Sequence, residues 1–182
     1  NIVKEKNQGT YLRLISSPTS NAVLYLGKII TYLIICLLQF YAILLIAKLV
    51  FPFMQLPELN LSGNKVLLMS LLTLTAGLAA ISLGILLGII CKTQEQSAPF
   101  GATFVVILAA IGGVWIPVFA MSDAMQVLSK TSPMNWALNG YYDIMLRNGS
   151  LIDIIPEMLL LTLFFAVLIT FALLYDKKKR TV

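Results

Sequence analysis

The 182-residue chain is 59% hydrophobic and 12% charged, with a mean hydropathy of +0.90 and a net charge of +5. Soluble domains are roughly 45–50% apolar, so this composition indicates a membrane protein of about four or five spans with no second folded domain. The chain has no histidine, and Cys36 and Cys91 are far apart in apolar runs, which argues against a metal site and against a disulfide framework.

Residues 1–28 form a polar, partly basic segment ahead of the first long apolar run. Gly9 interrupts this segment, Thr10 is a suitable N-cap, and we expect residues 11–16 to form a short amphipathic helix that Pro18 ends. A helix this short cannot span a bilayer, so it suits a membrane surface or the groove of a partner protein. In the simpler interpretation the basic residues of the segment hold lipid phosphates.

Four apolar stretches are long enough to cross a bilayer, and we predict helices over residues 29–51, 66–91, 98–121 and 155–175. None of them carries a charged residue near its centre, whereas an ion-coupled carrier needs such groups. The second stretch has small residues spaced four apart, which is typical of closely packed membrane helices. This stripe, which packs either within the bundle or against a second subunit, consists of Ala76, Ala80, Gly84 and Gly88.

The third stretch is interrupted near its end by Gly112, Gly113 and Pro117. Proline lacks an N–H and its ring collides with the carbonyl four residues earlier, so we predict that the helix kinks or ends at Pro117, with the two glycines allowing the bend. A broken helix at membrane depth is tolerated only where protein or a water-filled cavity covers the backbone. The stretch is therefore a candidate gate or pathway-lining element.

Residues 122–150 are predicted to form two short interfacial or re-entrant helices. The first begins at Ser122 and runs through Ser129, and the second begins at Ser132 with Pro133 in its first turn. A capping box of Ser150 and the aspartate three residues later starts the last helix, and residues 176–182 form a basic tail.

The distribution of basic residues predicts the orientation. Both termini and the loop at residue 92 are placed on the cytoplasmic side by the positive-inside rule, with four crossings between the termini. That side then holds nine of the 13 Lys and Arg residues: Lys4, Lys6, Arg13, Lys28, Lys92, Lys177, Lys178, Lys179 and Arg180.

Signatures of catalysis are missing from the sequence. It has no G-x-x-x-x-G-K-[ST] loop to cradle phosphates, no H-E-x-x-H or G-x-S-x-G motif and no histidine to act as a base. The basic tail follows a span directly, so it indicates contact with anionic lipids and not with nucleic acid. Energy for transport, if the chain transports, must come from another protein.

Two groups of residues carry a family resemblance. The first is Glu5-Lys6-x-x-Gly9-Thr10, followed by Leu12-Arg13-Leu14, Ser17-Pro18 and Gly27-Lys28. The second is Gly113-Val-Trp-Ile-Pro117, followed by Leu128-Ser-x-x-Ser-Pro133 and Trp136-Ala-Leu-x-Gly140. In this order they resemble the type 2 family of ATP-binding-cassette (ABC) exporter permeases. There the first group lies in a cytoplasmic coupling segment, and the second lies where the fifth span ends and two short helices re-enter from outside.

The resemblance implies an all-α membrane protein that corresponds to the C-terminal two-thirds of a six-span permease. It also implies two partners, an ABC ATP-binding subunit and a second permease half that is identical or different. ATP and Mg would be bound by the ATP-binding subunit, with no cofactor in this chain. By resemblance, the contact with the ATPase would be made by Glu5, Gly9, Thr10 and Arg13. The outer gate would be formed by Gly112, Gly113, Pro117 and Pro133.

The function expected from the resemblance is that of a permease subunit in the bacterial inner membrane that exports a drug, a lipid-linked molecule or another amphipathic cargo. The alternative is a non-transporting multi-span subunit that anchors or senses, and whose amphipathic segment only holds lipid. In that case only charge matters in the segment, so Arg13→Lys would be silent and Gly9 would tolerate alanine.

Overall fold

The computed structural model describes residues 21–56, 61–91 and 93–180, and within these ranges every regular element is a helix. The helices are α1 (Asn21–Phe53), α2 (Gly63–Ile90), α3 (Gln94–Ile111), a 3₁₀ helix (Val118–Ala120), α4 (Asp123–Ser129), α5 (Pro133–Met145) and α6 (Leu151–Arg180). The predicted all-α fold is thus confirmed for the described residues. The short amphipathic helix predicted for residues 11–16 lies outside them.

Three helices are long and apolar enough to cross a membrane: Val23–Phe53, Gly63–Ile90 and Leu151–Lys178. They correspond to the predicted spans 29–51, 66–91 and 155–175. The predicted span 98–121 differs, because α3 already ends at Ile111. With 18 residues at about 1.5 Å each, α3 is about 27 Å long, slightly less than a hydrocarbon core of roughly 30 Å.

The centre of the bundle is α2, which packs most extensively against α6 and also contacts α1, α3 and α5. Lipid tails are as apolar as leucine, so these helices are held together by close packing more than by removal of apolar surface from water. One buried cluster joins α2 to α5 and α6 and consists of Leu68, Met69, Leu72, Ala79, Ile144, Ile154 and Leu161. A second cluster joins α1, α2 and α6 and consists of Tyr25, Ile29, Ile85, Ile89 and Ala172.

The peripheral helix is α1, whose large apolar side chains are mostly exposed. It approaches α2 closely at Gly77, where an added Cβ would lie 3.2 Å from Cys36 Sγ and 3.3 Å from Leu33 Cδ2. Surface of this kind is covered by lipid or by further membrane helices, not by water.

One polar contact ties the first and last helices together. The Tyr25 hydroxyl donates to Asp176 Oδ2 at 3.1 Å, and both residues are 5% exposed. A buried carboxylate is tolerated when it accepts such hydrogen bonds. The contact therefore fixes the end of α6 against the start of α1.

Candidate functional site

The predicted gate residues lie at and beside one place in the fold. That place, called the junction below, comprises the end of α3, the connection after it and the first turn of α5 (residues 108–117 and 132–135). The predicted ATPase-contact residues lie outside the described residues; they are Glu5, Gly9, Thr10 and Arg13.

Gly112 lies where α5 presses against the end of α3. An added Cβ would lie 2.7 Å from Leu108 O, 2.9 Å from Met134 Cβ and 3.0 Å from Ser132 Oγ. Real Cβ atoms do not approach other atoms so closely, so this contact requires glycine. Gly112 and Pro133 are both buried, and the junction brings these two predicted gate residues together.

Gly113 ends the helix. Its φ is +88°, a left-handed conformation in which glycine avoids the cost that other residues pay. The following N–H, of Val114, donates to Ala109 O at 3.1 Å, which closes the last turn. An added Cβ on Gly113 would also lie 2.6 Å from Val118 Cγ2.

Pro117 lies outside α3, whereas the sequence predicts it at the kink or end of that helix. It is exposed, lies six residues beyond the end of α3 and directly precedes the 3₁₀ helix. The prediction that the third helix ends or kinks at Pro117 is therefore wrong in position. The helix ends earlier because Gly113 leaves the helical conformation before the proline ring can collide with a helical carbonyl.

Two polar side chains of α5 satisfy carbonyl groups at the end of α3. Ser132 Oγ donates to Leu108 O at 3.1 Å, and Asn135 Nδ2 donates to Gly112 O at 3.2 Å. Ser132 and Asn135 are 2% and 4% exposed. Ser132 holds the predicted N-cap position of α5, but its hydroxyl makes no capping hydrogen bond. Sequence analysis missed Asn135, although an amide in the first turn of an apolar helix was a usable signal.

The stripe on α2 does not lie in one uniform environment. Ala76 is half-buried, Gly88 is buried, and Ala80 and Gly84 are exposed. A Cβ added to Gly84 would have no atom within 4 Å. Within the described residues the close contact of α2 with α1 is made at Gly77 instead.

A cavity of about 170 Å³ lies between α2, α3, α5 and α6. Its volume is near that of an apolar cavity of ~150 Å³ known to bind benzene. The cavity is lined by Ala76, Ala79, Ala80, Leu83, Val105, Leu108, Pro133, Met134, Ala137, Leu161 and Phe164. It thus adjoins both the stripe and the junction, and its lining can accept an apolar group.

Beyond the cavity, α5 and α2 are in tight contact. A Cβ added to Gly140 would lie 2.7 Å from the Leu72 side chain, which is fully buried. Tyr141 and Thr73 share a hydrogen bond of 2.7 Å, and Thr73 donates its own proton to Met69 O, so the Tyr141 hydroxyl is the donor of the pair. Burial raises the pKa of Tyr141, which keeps this hydroxyl protonated.

The chemistry that the junction and the cavity offer is non-covalent binding. In the part of the chain that the structure describes, no three His, Cys, Asp or Glu residues are grouped so as to hold a metal ion. The junction consists of neutral side chains and backbone, and the cavity is apolar. Such a site can hold an apolar molecule.

Comparison with known proteins identifies the family of the chain. The family model described as ABC-2 family transporter protein matches residues 1–174, so the chain belongs to the ABC-2 family of transporter proteins. The chain is 26% identical over 171 residues to the linearmycin resistance permease protein LnrN of Bacillus subtilis, covering 94% of this chain and 42% of that protein.

A second relative is named Probable multidrug ABC transporter permease YbhR, of Escherichia coli. It is 28% identical over 152 residues, which cover 82% of this chain and 39% of the relative. The chain thus spans about two-fifths of the length of the curated relatives that it matches. No solved structure matches it significantly. Both relatives are named as permeases.

Proposed function

We propose that this chain is the membrane-spanning part of a permease subunit of an ATP-driven exporter. The observation that carries the proposal is the family match, which covers residues 1–174 and thus the segment before α1 as well as most of α6. A separate ABC subunit would bind ATP and Mg and drive transport. This chain and a second permease half would form the path of the cargo.

The helices and the distribution of charges support the following arrangement in the membrane. Three long helices cross the bilayer, and α3 together with the junction makes the fourth crossing, so both ends of this segment lie in the cytoplasm of a bacterial cell. The fixed turn at Gly112 and Gly113 and the two donors from α5 support a role of the junction as a gate. Separation of α5 from α3 would change the shape of the adjoining cavity.

The apolar cavity and the lack of charge at the centres of the helices favour an amphipathic cargo, such as a drug or a lipid-linked molecule. The names of the two relatives, linearmycin resistance permease and probable multidrug permease, support this class. Membrane lipids are the expected surroundings of the exposed apolar face of α1.

The test uses the full-length permease, co-expressed with its ABC subunit, and measures ATP-dependent uptake of cargo into inside-out vesicles. The double variant Glu5→Ala with Arg13→Ala removes two charged contacts proposed for the ATPase, so we expect at least a tenfold loss of transport. A matched control, Asp123→Ala with Lys130→Ala, removes one acid and one base from exposed positions of the described chain and should transport normally.

Wild-type transport and unchanged co-purification of the ABC subunit in the Glu5 and Arg13 variant would refute the coupling assignment. The anchor or sensor alternative gives a different pattern. It predicts no ATP-dependent transport by the wild type, a silent Arg13→Lys variant and a tolerated Gly9→Ala variant.

A further inference from the structure

The connection between α5 and α6 and the start of α2 carry acidic and basic side chains close to the apolar bundle. Several of these charged groups have short hydrogen bonds, in the pairs Arg147–Asp143 at 2.6 Å, Lys65–Asn148 at 2.7 Å and Asp153–Ser150 at 2.7 and 2.9 Å. These charged side chains thus have hydrogen-bond partners close by, and the contacts hold the connection in place.

Glu157 differs from these groups. Its Oε2 is buried and has no hydrogen-bond partner among the described residues. Glu157 follows Ile154 by three residues and precedes Leu161 by four, and both of these are almost fully buried against α2 and α5. Residues three and four apart lie on the same helix face, so Glu157 lies on the packed side of α6. A carboxylate oxygen buried without a partner is costly, and an ionisable residue within a membrane helix marks a candidate functional site.

The cavity begins one turn further along the same face of α6. Leu161, which lines the cavity, is four residues or about 6 Å along the helix axis beyond Glu157, and Phe164 lines it further on. The cavity is accessible on its α2–α3 side, because Ala80 is exposed and Val105 is 44% exposed. The Glu157 carboxyl group and the apolar cavity thus follow one another along α6.

We propose that Glu157 and the cavity bind a cationic amphiphile, with its ammonium group at the Glu157 carboxylate and an aryl or alkyl group in the cavity. Charge complementarity selects the cation, since an ion pair is stronger in a low-dielectric environment than in water. The volume of about 170 Å³ admits a single aromatic ring. The inference rests on the proposed export function, because it narrows the cargo class to cationic amphiphiles.

The experiment measures equilibrium binding, without ATP, to the full-length permease and its ABC subunit in lipid nanodiscs. The probes are radiolabelled benzyldodecyldimethylammonium, a cation, and N-benzyldodecanamide, a neutral molecule with the same aryl group and a similar chain. We expect Glu157→Gln to weaken binding of the cation at least tenfold and to change binding of the amide less than twofold. Ala80→Leu, which fills the cavity from its exposed edge, should weaken binding of both probes.

Asp123→Asn is the matched control, because it neutralises an exposed carboxylate away from the cavity and should bind both probes as the wild type does. Equal affinity of the wild type for the two probes would overturn the site. So would cation binding that survives Glu157→Gln, or a Glu157→Gln permease that separates from its partner subunits, since Glu157 would then pair with a basic residue of the assembly. ATP-driven export is measured in a separate assay. A negative binding result would therefore refute the proposed site without refuting the proposed export function.

Discussion

Gly112→Ala is the substitution that tests the junction most directly. The new methyl carbon would lie 2.7 Å from Leu108 O and 2.9 Å from Met134 Cβ. The first is a backbone atom and the second lies next to the backbone, so neither can be moved by rotating the end of a side chain. We expect α5 to be pushed away from the end of α3.

The cost has two parts. Overpacking of a well-packed interior costs about 1–3 kcal/mol. Displacement of α5 also weakens the hydrogen bonds that Ser132 and Asn135 donate to α3, each worth about 0.5–1.5 kcal/mol. The expected loss is therefore about 2–6 kcal/mol of unfolding free energy.

The assay is equilibrium unfolding of the purified full-length permease in mixed micelles of increasing SDS content, followed by far-UV circular dichroism. Gly84→Ala is the control, because Gly84 lies within α2 with no atom within 4 Å of an added Cβ. That variant should gain about 0.5–1 kcal/mol from the lower flexibility of the unfolded chain. If Gly112→Ala unfolds at the same SDS content as the wild type, the close packing described for the junction is incorrect.

The other predictions use the same titration. Gly113→Ala should lose at least about 1–2 kcal/mol, because Gly113 has a φ of +88° and a left-handed backbone costs other residues that much. Tyr25→Phe should lose about 1–3 kcal/mol, because the buried Asp176 carboxylate loses a donor. Tyr141→Phe should lose about 1 kcal/mol, because only the hydrogen bond to Thr73 is removed.

Each of these predictions has an outcome that would contradict it. A Gly113→Ala protein of wild-type stability would contradict the left-handed turn. For the tyrosines, Tyr175→Phe is the reference, since Tyr175 is 40% exposed and should tolerate the change. Equal effects of Tyr25→Phe and Tyr175→Phe would contradict the contact between α1 and α6.

Much of the fold is visible in the sequence because it depends on local chemistry. Long apolar runs predict the membrane helices. Of the capping box predicted for Ser150 and Asp153, the bond from the Ser150 N–H to Asp153 Oδ2 is present at 2.7 Å, whereas the Ser150 hydroxyl donates to the same oxygen and does not accept from the Asp153 N–H. The start of α5 at Pro133 is also confirmed. In each case the signal lies within a few residues of the structure that it specifies.

The parts that sequence analysis missed depend on neighbours in space. The spacing of small residues along α2 predicts the stripe as its packing surface, yet the close contact with α1 is at Gly77. The surfaces of both helices determine how one is rotated relative to the other, and the sequence of α2 alone does not specify this. Gly140 belongs to a sequence motif, but its contact with Leu72 depends on the packing of α5 against α2. The partnerless Oε2 of Glu157 is likewise a property of packing that no spacing rule reports.

The two hydrogen bonds from α5 to the end of α3 have a consequence for how this region opens. Leu108 O and Gly112 O lie at the C-terminal end of α3, where carbonyl groups need partners from outside the regular helix. Leu108 O also accepts the Gly112 N–H at 2.8 Å, whereas Gly112 O accepts the hydrogen bond from Asn135 Nδ2. If α5 moves away, Gly112 O loses the hydrogen bond from Asn135 and needs a new donor, and hydrocarbon offers none. We therefore expect water to enter the junction as α5 separates from α3. A membrane that admits less water to this depth should slow that separation.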